Sequence, residues 1–209
     1  MKQNIRILIV DDHGMMRFAL SQGIERQPDF TLVGEAENGT QALEFYRQHK
    51  PDVVTMDYKL PGMNGVECTA LLRKEFPHAK VLLLSIYEGT EDIWRAMQAG
   101  VAGYVSKAAK IDEVMIAVRA IAQGKTYFSA GFAEKVAAHK ATPSLSPQEL
   151  NVLREIVAGS SGKEISTSLD LTESTVRWYL KNIYAKLGVA DRAQAITTAV
   201  QRGIIHLDT

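Results

Sequence analysis

Five short apolar runs, rich in β-branched residues, punctuate the first half of the chain. Each gives way to a stretch where apolar positions recur every three or four residues. The runs fall at 5–10, 31–36, 53–57, 80–85 and 103–106. Ile5-Arg6-Ile7-Leu8-Ile9-Val10 and Val53-Val54-Thr55-Met56 leave almost no solvent face, the pattern of strands buried on both sides of a parallel sheet. The stretches 14–27, 40–47, 66–76, 91–99 and 111–123 read as helices, with Gly100 and Gly124 at C-cap positions and the turn-forming run Pro61-Gly62-Met63-Asn64-Gly65 as a loop. Five repeats of strand then helix predict an α/β fold built on a doubly wound, five-stranded parallel sheet.

Beyond Gly124 the pattern breaks. Residues 130–140 have the composition of a short helix, and Ala141-Thr142-Pro143-Ser144 reads as a flexible connector. After it the chain is wholly helical. Ser146-Pro147-Gln148-Glu149 and Ser161-Gly162-Lys163-Glu164 are capping boxes, separated by a stop at Gly159. Thr172 caps a third helix reaching Leu187, with Gly188 behind it, and a fourth covers 191–202. Short helices on either side of a tight turn at Asp170-Leu171-Thr172 predict a helix-turn-helix. The expected organisation is therefore a sheet domain at 1–123, a linker at 124–144 and an all-α domain of four helices at 145–209.

With 209 residues the chain accommodates two domains, each with its own core. Lys and Arg number 24 against 24 Asp and Glu, which excludes a polyanion-binding tail but not a local basic face. The lone Cys68 cannot form an internal disulfide. Met1-Lys2-Gln3-Asn4 runs into the first strand without a signal peptide, and no apolar stretch approaches the ~20 residues of a membrane span. A cytoplasmic protein with no membrane partner is expected.

Charged residues and one hydroxyl stand where the apolar runs end. Asp11 and Asp12 follow the first, Asp57 closes the third, Ser85 the fourth, and Lys107 follows the fifth. In open α/β sheets the crevice at the strands' carboxyl ends is where ligands bind. Three carboxylates gathered there need a positive partner, and a hard cation such as Mg²⁺, held by carboxylates and phosphate oxygens, supplies one. Asp57 is then a nucleophile able to form an acyl phosphate, with Lys107 as a point charge for a phosphate oxygen.

Ile9-Val10-Asp11-Asp12-His13, Met56-Asp57-Tyr58-Lys59-Leu60-Pro61-Gly62-Met63-Asn64-Gly65, Ser85 and Lys107 resemble the receiver domain of bacterial two-component response regulators. The resemblance implies the flavodoxin-like strand order 2-1-3-4-5 and Asp57 as phosphoacceptor. It implies Mg²⁺ among Asp11, Asp12, Asp57 and the backbone carbonyl of Lys59, Ser85 as the hydroxyl that moves toward phosphate, and Tyr104 as the aromatic that follows it. The donor it implies is a sensor histidine kinase or a small acyl phosphate. Three positions depart from the pattern: Gly14 and Ala108, where proline is common, and Ile86, bulkier than the usual residue. The isomer of the Lys107–Ala108 bond is left open.

In the tail, Val176, Leu180, Ile183 and Leu187 gather on one side of the third helix; Ser174, Arg177, Trp178, Lys181 and Ala185 gather on the other. From Pro143 onward seven cations are matched by seven acids, so charge must act by placement. An outward indole between two cations fits a helix that enters a groove. Leu145-Ser146-Pro147-Gln148-Glu149, Gly159-Ser160-Ser161-Gly162-Lys163-Glu164-Ile165 and Thr175-Val176-Arg177-Trp178-Tyr179-Leu180-Lys181-Asn182-Ile183 resemble the LuxR-type helix-turn-helix, with Gly162 and Tyr179 as departures. Joined to a receiver, this is similar to a NarL/FixJ-type response regulator. The resemblance implies Arg177, Trp178 and Lys181 at base edges of double-stranded DNA, and Lys163, Thr175, Asn182 and Lys186 at phosphates. Apolar residues of the last helix not used by its own core predict a homodimer on an inverted repeat.

The expected function is a transcription regulator switched by Mg²⁺-dependent phosphorylation of Asp57, catalysing only its own phosphoryl transfer and loss. Two rivals stand beside it. A phosphatase of the aspartyl-phosphate kind would want an acid two residues after the nucleophile, where this chain has Lys59. A regulator that never needs phosphate would use the first domain for docking alone.

Overall fold

The computed structural model describes residues 4–140 and 143–207. Half of the connector read at 141–144 thus lies outside the described residues, as do Met1, Lys2 and Gln3. Contacts divide the chain into two compact units, one built on the sheet and taking in residues up to Glu88 and Ile93–Phe132, the other built on the tail from Ala133 and taking in Gly89–Asp92.

The first unit alternates β1 (Ile5–Val10), α1 (Gly14–Glu25), β2 (Phe30–Ala36), α2 (Gly39–His49), β3 (Val53–Asp57), α3 (Gly65–Glu75), β4 (Val81–Ser85), α4 (Thr90–Ala99, whose first three residues belong to the tail unit), β5 (Gly103–Ser106), α5 (Ile111–Ala122) and β6 (Tyr127–Phe128). The sheet is parallel, in the order β2-β1-β3-β4-β5-β6. The expected 2-1-3-4-5 order is present, and a two-residue strand from the expected linker extends it to six strands. β6 pairs through Gly103–Tyr127 and Tyr104–Phe128. Every residue of β3 and of β4 is buried, because helices cover both faces of the sheet. One face packs Ile7, Ile9, Leu82, Leu84 and Val105 against Leu20 and Ile24 of α1 and Val114, Met115, Val118 and Ile121 of α5. Burial of such side chains contributes roughly 1.5–3 kcal/mol each.

The second unit holds α6 (Phe132–Lys140, whose first residue belongs to the sheet unit), α7 (Pro147–Val157), α8 (Gly162–Ser168), α9 (Glu173–Leu187) and α10 (Arg192–Gln201). Ser146 and Ser161 form the two capping boxes, and Thr172 and Asp191 cap α9 and α10 through the amides of Thr175 and Gln194. Gly188 ends α9 at φ 70°, a left-handed conformation that glycine adopts without a Cβ clash. Val152, Leu153, Ile156, Ile165, Val176, Ile183, Leu187, Ala195 and Ala199 form the core. Among the described residues no helix is long and apolar enough to cross a membrane, and every peptide bond, Lys107–Ala108 included, is trans.

Candidate functional site

Parallel register brings the strand ends to one level. Val10 pairs with Met56, Asp57 with Leu84, and Ser85 with Ser106. Asp11, Asp57, Ser85 and Lys107 therefore meet at the carboxyl edge of the sheet. The Lys107 amide donates to the Ser85 carbonyl at 2.8 Å, and its Nζ lies 2.7 Å from both Asp11 Oδ2 and Asp57 Oδ2. Asp11 is fully buried and Asp57 is 3% exposed. Their other oxygens accept backbone amides, Asp11 Oδ1 that of His13 at 2.9 Å and Asp57 Oδ1 that of Lys59 at 3.2 Å.

Burial pushes the Asp57 carboxyl up to about 6, against the pull of its hydrogen bond and charge pairing with Lys107. Burial acts on Lys107 in the opposite sense, but the hydrogen bonds to Asp11 and Asp57 prevail and hold its ammonium above the usual value. The lysine keeps its proton while Asp57 is disfavoured as an anion. Asp12 points to a wetter side, its Oδ1 2.7 Å from His13 Nδ1. Donor atoms of Asp11, Asp12, His13 and Asp57 all lie within 4.8 Å of one another. Three carboxylates against one ammonium leave excess negative charge, and this oxygen-rich set suits a hard divalent cation.

Asp57 borders a cleft of 580 Å³ lined in part by His13, Met15, Lys59, Ile86, Tyr87 and Lys107. Ile86 stands at its mouth, 70% exposed. Gly65 fixes the floor of the loop after β3: its amide donates to the Tyr58 carbonyl at 2.8 Å, and an added Cβ would lie 2.0 Å from the Asp57 carbonyl oxygen. Ser85 is fully buried and its Oγ accepts the Tyr87 amide at 2.8 Å. The buried Tyr104 donates its hydroxyl to the Tyr87 carbonyl. Both backbone groups of Tyr87 are thus held by the two residues expected to move together.

In the tail, α8 and α9 flank a turn in which Asp170 takes φ 52°, a left-handed conformation that Asp tolerates. Val176, Ile183 and Leu187 are buried, whereas Arg177, Trp178 and Lys181 are exposed, Trp178 by 58%. Lys163 is exposed, and Thr175 and Asn182 are half-buried. Lys186 differs from these. Its Nζ lies 2.7 Å from Oε2 of the buried Glu149. Burial alone would raise the Glu149 carboxyl, but the bonds from Lys186 and Ser146 hold it below its usual range. A phosphate would have to compete with that pair for the ammonium. Helix periodicity shows which face Lys186 borders; it does not reveal a partner 37 residues away.

Residues 7–119 match the response regulator receiver domain, and residues 143–199 match the luxR family of bacterial regulatory proteins. Over 207 residues the chain is 34% identical to the transcriptional regulatory protein MctR of Rhizobium johnstonii, covering 98% of this chain and 97% of that one. The chain belongs to the response regulators. It is a receiver joined to a LuxR-type DNA-binding domain, and so a transcriptional regulator of the two-component kind. LiaR of Bacillus subtilis is 33% identical over 210 residues, with 97% of this chain and 100% of LiaR covered. Among solved structures, this response regulator is similar to ChrA of a heme-sensing two-component system at 32% identity and a TM-score of 0.58, covering 97% of this chain and 99% of that one.

Proposed function

We propose that this response regulator, acting in the cytoplasm, takes a phosphoryl group on Asp57 from a histidine kinase or a small acyl phosphate and reports it as altered DNA binding by α9. An Asp57 carboxylate oxygen bonds to phosphorus as the bond from phosphorus to the donor's nitrogen or acyl oxygen breaks, and the bonding pair leaves with the donor. A bound Mg²⁺ supplies neutralisation of the transferring oxygens, and Asp11, Asp12, Asp57 and the Lys59 carbonyl would hold it. Lys107, already within 2.7 Å of Asp57 Oδ2, would turn to a phosphoryl oxygen. The chain's own chemistry ends with gaining and losing this group.

The observation that carries the reading is the shared ammonium: one lysine held between two buried carboxylates beside an open cleft. Drawing Ser85 Oγ toward a phosphoryl oxygen would strain its bond from the Tyr87 amide and disturb the carbonyl that Tyr104 holds. On DNA, Arg177, Trp178 and Lys181 would meet base edges, and Lys163, Thr175 and Asn182 would fix register on phosphates. A homodimer on an inverted repeat follows from the residues α10 leaves outward, Ala193 and part of Val200, once Ala195 and Ala199 are spent on its own core.

Incubation with Mg²⁺ and acetyl phosphate, followed by intact mass, tests the reading. One added phosphoryl group that is lost in Asp57→Ala supports it. No adduct would favour a receiver that only docks, and steady phosphate release from unrelated esters would favour an enzyme.

A further inference from the structure

The cleft beside Asp57 is larger and more apolar than a phosphoryl group requires. Its 580 Å³ lies within the roughly 300–1,000 Å³ of pockets that enclose drug-sized organic ligands. Met15, Met16 and Ala19 of α1, Ile86 after β4 and Ala108 after β5 supply its apolar lining. Met15 and Ala19 stand four residues apart and so share one face of α1, while Leu20 and Ile24 take the face toward the sheet. Met15 is 84% exposed and Ile86 70%. Two large apolar side chains on one concave surface form a patch, and such patches mark ligand or partner sites.

The same cleft carries cations beside the carboxyl group. Lys107 Nζ lies 2.7 Å from Asp57 Oδ2, and the amide of the exposed Lys59 donates to Asp57 Oδ1. A molecule that matches this lining has an anionic end for the ammonium groups and an apolar body for α1 and Ile86. We infer that the cleft selects acyl phosphates with an extended apolar acyl group, the phosphoryl end beside Lys59 and Lys107 and the alkyl chain against Met15, Ala19 and Ile86. The inference rests on the phosphorylation of Asp57 proposed above. In the transfer, an Asp57 carboxylate oxygen bonds to phosphorus as the bond from phosphorus to the acyl oxygen breaks, and the electron pair leaves with the released carboxylate. Acetyl phosphate would leave the apolar lining wet. A methylene fully withdrawn from water is worth about fourfold in affinity, and one covered on a single side about twofold. These contacts are equal before and during transfer, so they lower KM and leave kcat unchanged.

The test compares acetyl phosphate with hexanoyl phosphate on the full-length chain in the presence of Mg²⁺, following the phosphorylated fraction over time by intact mass. The two released carboxylates are nearly equal in basicity, so a difference in rate reports the cleft and not the leaving group. At donor concentrations well below saturation, hexanoyl phosphate should react faster by about tenfold or more, with similar maximal rates. Met15 and Ile86 are exposed, so their replacement spares the core. In a chain carrying both Met15→Ser and Ile86→Ser the ratio should fall to within about twofold. Equal rates from the two donors in the wild type would overturn the inference and leave phosphorylation of Asp57 standing, with the apolar lining assigned to a protein donor. A ratio that survives both substitutions overturns it as well, because the selectivity then arises elsewhere. No adduct from either donor removes the proposed phosphorylation and this inference with it.

Discussion

At Lys107 one ammonium serves two buried carboxylates, and the sheet edge carries more negative charge than it can neutralise. Burial disfavours ionised Asp57. Near neutral pH, Asp57→Asn should therefore stabilise the metal-free receiver by roughly 1–2 kcal/mol, read by urea unfolding; a loss of stability would show that the carboxylate is not under strain. Gly65→Ala should do the reverse. Its Cβ would meet the Asp57 carbonyl oxygen at 2.0 Å, costing about 1–3 kcal/mol and slowing phosphorylation by displacing the loop. Wild-type stability and rate in that variant would remove the close approach as a constraint. In the tail, the buried carboxylate of Glu149 pairs with the partly exposed ammonium of Lys186. Because Glu149 is held below its usual range when folded, its contribution is present above the unfolded value of about 4.3 and is lost as pH falls through the lower folded value. Hydrogen-exchange protection in α7 and α9, corrected for the intrinsic rate at each pH, should fall over that acid range. Lys186→Met should destabilise the domain by about 1–3 kcal/mol at neutral pH and weaken that acid dependence, leaving the part that Ser146 supplies.

At the scale of elements, the DNA contact proposed for α9 rests on where its exposed Arg177, Trp178 and Lys181 stand. Lys181→Ala should weaken binding to the specific operator by about 1–3 kcal/mol while leaving affinity for random DNA nearly unchanged. Equal losses on both, by fluorescence anisotropy, would make it a phosphate contact. Much at this scale was legible in the chain. β3 and β4 are buried throughout, so their apolar runs had no solvent face to blur them, and the acids at their ends followed. Caps at Ser146, Ser161 and Thr172 were legible because hydroxyl and acid sit at fixed offsets. β6 was not, since two residues pairing only through their backbone carry no periodicity. The tie between Glu149 and Lys186 left no trace either, because packing of α9 on α7 decides it. His13 stood within a motif, but nothing in its spacing said that its ring turns toward Asp12.

For the whole molecule, the question is whether chemistry at the sheet edge governs the helix that reads DNA. Ser85 and Tyr104 grip the two backbone groups of Tyr87, so the proposed phosphorylation of Asp57 would have a route to the surface after β4. The account depends first on Asp57 being the atom-donating residue. Borohydride reduction of the protein treated with Mg²⁺ and acetyl phosphate converts an aspartyl phosphate to homoserine, which peptide sequencing by mass locates. The account predicts homoserine at position 57 alone, and none without acetyl phosphate. Homoserine at Asp11 or Asp12, or none anywhere despite an intact fold, would contradict it.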